Sequence, residues 1–191
     1  MHQDGLTSEF SICLTLGNKT TQDVDAIRHA MPASPYRDDT PHVTLLRTIK
    51  TSSPMSDAAL LQDIERLLEI SQNVSFTVTV HKPVNRFSPL FGVSSLVLLY
   101  ASREMKSYRK NMIKILRAHN YSVGLVERLA FLPHISVRLG VPYTERTKAM
   151  AERSLSPRSN LTLSSWIVLR DIKKDGKYLV KEIATAQSIG G

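Results

Sequence analysis

Cysteine is almost missing from this 191-residue sequence: Cys13 stands alone, so no internal disulfide can form, which fits a reducing compartment. It lies in the apolar run Ile12 to Leu16 and reads as a small buried hydrophobe, not as a catalytic thiol. Long hydrophobic runs are missing too. Nothing approaches the roughly 20 apolar residues that a membrane-spanning helix needs. The start Met1-His2-Gln3-Asp4-Gly5 lacks the basic and then apolar order of a secretory signal, so a soluble cytoplasmic protein with no membrane partner is expected. No cluster has zinc-ligand spacing, and no Gly-Lys-Ser/Thr loop points to nucleoside triphosphate binding, so neither a metal nor another cofactor is expected. Acidic residues are in deficit, 17 against 25 basic ones, for a net charge of +8 and a pI near 9.7. That balance favours approach to polyanions through long-range attraction, although it equally suits simple solubility.

With 42% apolar and 22% charged residues, the chain has the composition of a globular protein with a packed core. Residues 10–17 read as a strand closed by Gly17. A helix follows, capped by Thr20 or Thr21, with Val24, Ile27 and Met31 on one face until Pro32 stops it. Residues 32–41, with three prolines and the pair Asp38-Asp39, read as a loop, and 42–49 as a strand. Ser56 and Asp57 open a helix with Leu60, Leu61, Ile64, Leu67 and Leu68 as its core stripe. Val74, Phe76, Val78 and Val80 alternate with polar residues as in a half-buried strand, and 82–89 reads as a loop. At residue 93 the succession starts again: strand 93–100, a basic helix to about Asn120, strand 134–139, helix 144–155, strand 161–170, and strand 178–183 after the turn Lys174-Asp175-Gly176. A period of about 90 residues predicts an α+β chain: one bilobal domain, 1–191, built from duplicated repeats 8–90 and 91–186. Each repeat is too small to be stable alone, so two antiparallel sheets flanked by helices are expected to merge over a shared core around a central cleft.

One short pattern occurs at corresponding places in both halves: Pro41-His42-Val43-Thr44-Leu45 and Pro133-His134-Ile135-Ser136-Val137. The histidines are 92 residues apart, which matches the period of the element order. On a strand, His42 and Thr44 share one face while Val43 and Leu45 share the other, and the same holds for His134 and Ser136 against Ile135 and Val137. An approximate two-fold would bring both polar faces to one cleft. Imidazole titrates near neutral pH, so one ring can accept a proton from water while the other supplies one to a departing sugar oxygen. The Thr44 and Ser136 hydroxyls can donate to the non-bridging oxygens of a phosphodiester. Either motif alone is commonplace on a strand; the matched pair is not.

These residues resemble the 2H phosphoesterase superfamily, whose hallmark is two His-x-Thr/Ser-x motifs half a chain apart. Phe131-Leu132-Pro133-His134-Ile135-Ser136 looks like the second motif of its 2′-5′ RNA ligase group, the RNA 2′,3′-cyclic phosphodiesterases. The resemblance implies a bilobal α+β fold, no metal, and hydrolysis of 2′,3′-cyclic phosphates or 2′-5′ linkages. His42 would protonate the leaving oxygen and His134 would activate water. It also implies an RNA or oligonucleotide substrate, and a monomer is expected. The alternative is a nucleotide- or RNA-binding module of the same fold without turnover.

In a regular strand Arg138 shares the face of His134 and Ser136, whereas Arg47 points away from His42, so Arg138 is the better candidate phosphate clamp, the alternative being a solvated charge at a strand end. Tyr36, Phe87, Phe91 and Tyr143 flank the motifs and are candidates for stacking on a base, although packing is the more usual role of such residues. Arg103, Lys106, Arg109, Lys110, Lys114 and Arg117 make one helix basic, as either a nucleic-acid track or a solvated face. His2, His29, His81 and His119 have no partner at catalytic spacing and receive no role.

Overall fold

The computed structural model describes residues 6–36, 40–70, 75–89, 91–124, 131–174 and 177–186. His2, the Asp38-Asp39 pair, and Asp175 and Gly176 of the expected turn lie outside the described residues. The elements run β1 (Leu6–Leu16), α1 (Asn18–His29), β2 (His42–Ser56), α2 (Asp57–Ile70), β3 (Phe76–Ser88), β4 (Gly92–Tyr100), α3 (Arg103–Ala118), β5 (Ser122–Val123), β6 (His134–Arg138), α4 (Glu145–Ser154), β7 (Asn160–Lys174) and β8 (Lys177–Ala186). Among the described residues no helix is long and apolar enough to cross a membrane.

Local chemistry accounts for the helix starts. The Ser56 oxygen accepts from the Ala59 N–H at 3.3 Å ahead of α2, and Ser102 accepts from Met105 at the start of α3. Thr144 and Thr147 bond reciprocally across the first turn of α4 as a capping box. Before α1 the expected threonine cap is absent. The helix begins earlier, with extended Gly17 as N-cap accepting the Thr21 N–H at 3.0 Å through its carbonyl.

All strand pairs are antiparallel, in the order β1-β2-β6-β4-β3-β7-β8, with β5 on β2. An additional β1–β7 pairing returns the path to its start, so six strands close into a ring. Exchanging β1 with β4, β2 with β6 and β3 with β7 maps this set of pairings onto itself. The expected α+β class with merged antiparallel strands is therefore observed. The expected loop at 82–89 is not: β3 continues through Pro83 to Ser88. β7 pairs β3 only at residues 76–79, so beyond that point one edge of β3 has no β7 partner, and an edge tolerates the missing N–H of proline.

One face of the sheet carries the main core. Leu14, Val43, Leu45, Ile135, Val137 and Leu163 pack there with Leu60, Ile64 and Leu67 of α2 and Met105, Met112 and Leu116 of α3. The other face carries a small separate cluster of Cys13, Ile167 and Leu169. Cys13 is fully buried, as its apolar surroundings in sequence predict.

Candidate active site

Val43 and Ile135 are direct partners in the β2–β6 ladder. One residue either way along an antiparallel pair places His42 opposite Ser136 and Thr44 opposite His134, all four on the face away from the helices. The imidazoles are diagonal neighbours, a relation that separates residues by about 7–8 Å. Val43 and Ile135 are fully buried on the helix face, while the four polar residues are half-buried. The two sequence motifs thus meet directly, side by side in one sheet.

Both rings are held in the same way. His42 Nδ1 lies 2.7 Å from the Thr40 carbonyl oxygen, and His134 Nδ1 lies 3.1 Å from that of Leu132. A carbonyl only accepts, so each Nδ1 carries the hydrogen, and proton exchange by the neutral ring falls to Nε2. The environments differ. Burial holds the His134 imidazole below the ordinary histidine value, against the opposing effect of its bond to Leu132, and the Arg47 and Arg86 guanidinium groups lower it further. His134 is therefore neutral at neutral pH, the state of a proton acceptor.

The position of Arg47 departs from the regular-strand expectation. Cys13 pairs with Thr44 but Ile12 pairs with Leu46, so Leu45 is an extra residue in β2. Leu45 and Leu46 are both buried, the alternation is reversed, and Arg47 turns to the face of His42 and Thr44. In β6, Ser136 pairs with Leu96 but Arg138 pairs with Ser95, which makes Val137 the extra residue. The reversal there has the opposite result. Arg138 turns from the histidine face and donates through Nη1 to the carbonyls of Met31 and Pro32, at 3.1 and 2.7 Å, where α1 ends. Arg47, together with Arg86, occupies the place expected for Arg138.

Both bulges fall three residues after a motif histidine. A bulged residue leaves the ladder, and its buried carbonyl needs another donor. Arg28 of α1 donates Nε–H to Val137 O at 2.7 Å and Nη2–H to Ser136 O at 3.3 Å. Arg109 of α3 donates Nε–H to Leu45 O at 3.0 Å, with its guanidinium 4.7 Å from the Phe131 ring centre. Each is only 7% exposed, so Arg109 belongs to neither a solvated face nor a nucleic-acid track.

The candidate stacking aromatics lie elsewhere. Tyr143 is buried in the main core, and its hydroxyl has no hydrogen-bond partner among the described residues. Phe87 is 68% exposed but pairs with Val93 on the face of Asn85 and Ser95, opposite the histidines. Tyr36 and Phe91 pack edge to face, 5.1 Å apart, beside Gly140, where a Cβ would lie 2.8 Å from the Tyr36 ring. Among the described residues, no group of three or more His, Cys, Asp or Glu is placed to hold a metal ion.

A cavity of about 390 Å³ lies between α1 and the segment before His42, lined by Thr21, Asp25, Arg28, His29, Thr40, Pro41 and Arg138 but by neither motif imidazole. Arg28 and Arg138 are already engaged with backbone carbonyls there.

No protein-family model matches the sequence, and no curated protein matches it. Solved structures match in shape. A phosphoesterase superposes with a TM-score of 0.56 over 94% of this chain and 97% of its own, at 11% identity. E. coli LigT complexed with 3′-AMP gives 0.56 over 94% and 97%, at 13% identity. TT0787 of Thermus thermophilus gives 0.57 over 93% and 96%, at 12% identity. With two histidine motifs paired on adjacent strands of a chain that superposes along nearly its whole length, the protein has the α+β fold of E. coli LigT and of TT0787.

Proposed function

We propose that this chain is a metal-independent phosphodiesterase acting on RNA ends that carry a 2′,3′-cyclic phosphate, or on 2′-5′ linked or cyclic oligonucleotides. The observation that carries this reading is the Val43–Ile135 pair, which sets two imidazoles, each oriented by a backbone carbonyl at Nδ1, on one face among hydroxyls and guanidinium groups. His134 Nε2 takes a proton from water as its oxygen attacks phosphorus. His42, protonated at Nε2, gives its proton to the ribose oxygen as the P–O bond breaks, so one proton enters the site and one leaves it. Thr44 and Ser136 donate to the non-bridging oxygens, and Arg47 and Arg86 offset their charge. The likeness to a phosphoesterase and to LigT structures holding 3′-AMP, ATP or phosphate supports a phosphate-bearing nucleotide as ligand. In this reading residues 8–90 and 91–186 are the two repeats of one bilobal domain, which works as a monomer in the cytoplasm.

The test is single-turnover cleavage, in EDTA, of a short RNA ending in a 2′,3′-cyclic phosphate, comparing the native protein with His42→Ala and His134→Ala. Each substitution should slow cleavage by about 10²–10⁴-fold, the usual contribution of a positioned acid or base. Binding of the RNA without cleavage by the native protein would replace catalysis with a binding role.

A further inference from the structure

Leu98 of β4 is the direct partner of His134, and the Leu99 N–H donates to Pro133 O at 3.0 Å. Tyr100 therefore follows on the histidine face, two residues beyond Leu98 and roughly 7 Å along the strand. It is 55% exposed, and Leu132, two residues before His134, is 46% exposed. On its other edge β3 has an extra residue, His81, between the Val80–Leu99 and Lys82–Leu98 pairs. That bulge brings the His81 ring to 4.5 Å from the Tyr100 ring, tilted by 36°, with Nδ1 2.9 Å from the phenol oxygen. A large aromatic surface is thus held in place from one side, left open to solvent, and set beside the imidazole pair.

We propose that Tyr100, positioned by His81, is a nucleobase platform. It receives the base of the nucleotide whose phosphate lies between His42 and His134, and this assignment rests on the phosphodiesterase reading above. In a nucleotide one ribose separates base from phosphate, and the two-residue step along β4 from Leu98, opposite His134, to Tyr100 provides that offset. A flat ring stacks on any base, so the platform favours nucleotides over other phosphodiesters without choosing a sequence. Neither residue stands out in the sequence, because the contact depends on a bulge that only the β3–β4 pairing reveals.

The test compares 2′,3′-cyclic AMP with 1,4-anhydroribitol 2,3-cyclic phosphate, its base-free counterpart, in the native protein, Tyr100→Ala and Tyr100→Phe. The ratio of kcat/KM for the two substrates should fall about tenfold in Tyr100→Ala, the size of one lost stacking contact, chiefly through KM. Tyr100→Phe should restore most of it. Equal losses on both substrates would make Tyr100 a structural residue and overturn the platform, while leaving the phosphodiesterase intact. If the native protein cleaves neither substrate, titration with 3′-AMP decides: binding weakened about tenfold in Tyr100→Ala keeps the platform without the hydrolase, and binding unaffected by Tyr100→Ala, or absent, removes the platform.

Discussion

Arg28 Nε–H donates to the carbonyl oxygen of Val137 at 2.7 Å, and this bond ties α1 to the strand that carries His134. Arg109 repeats it on the other side, from α3 to Leu45. Two arginines at different places on their helices thus serve equivalent bulges, each three residues beyond a motif histidine. Replacing either by methionine keeps much of the apolar stem but strands a buried carbonyl. We expect a loss of about 2–4 kcal/mol in urea unfolding for each variant. A change below about 0.5 kcal/mol would mean that the carbonyl has another donor.

His134 also gives stability a pH dependence. Its folded-state value lies below the ordinary 6.5, chiefly through burial, so the unfolded chain takes up a proton first as pH falls. Stability should be level above about pH 6.5 and decline as pH drops from there through the lower folded-state value. His134→Gln should flatten that decline in unfolding curves collected between pH 7.5 and 5. An unaltered slope would assign it to other groups.

In activity, the same lowering should place the acid limb of the kcat/KM profile below 6.5, because His134 must be neutral to accept a proton. Arg47→Met removes one positive neighbour and should move that limb upward. It should also reduce kcat/KM by about ten- to a hundredfold through the lost phosphate contact. A profile limb that stays in place would show that Arg47 does not act on His134.

The histidine pairing was legible from sequence because Pro-His-x-Thr/Ser-x fixes which residues share a strand face, and because the repeat recurs at matching spacing. The arginines were not. Arg47 and Arg138 exchange roles only because Leu45 and Val137 bulge, and a bulge is defined by the partner strand, not by the residue that makes it. Arg28 and Arg109 look like surface positions on charged helices until the carbonyls beneath them lose their ladder partners. Pro83 reads as a loop residue unless it is known that β7 has already left that edge of β3. Each of these depends on pairing between distant segments, whereas alternation along one strand does not.

The buried phenol of Tyr143 offers a change in the opposite direction. Burial pushes its ionisation well above the usual tyrosine range, and its oxygen has no partner among the described residues. Tyr143→Phe removes the desolvated hydroxyl and keeps the ring. We expect a gain of about 1 kcal/mol in unfolding free energy. A loss of similar size would reveal a bridging water.

The Val43–Ile135 pair also acts as a quality check on folding. Side chains alternate between faces, so a slip of one residue on β2 or β6 would drive its imidazole into the core and expose its β-branched neighbour to solvent. A molecule mispaired by one residue could not keep both histidines on the open face and still bury its apolar residues. Incorrectly paired copies should be inactive and unstable together, easily recognised by proteases, and absent from the working population.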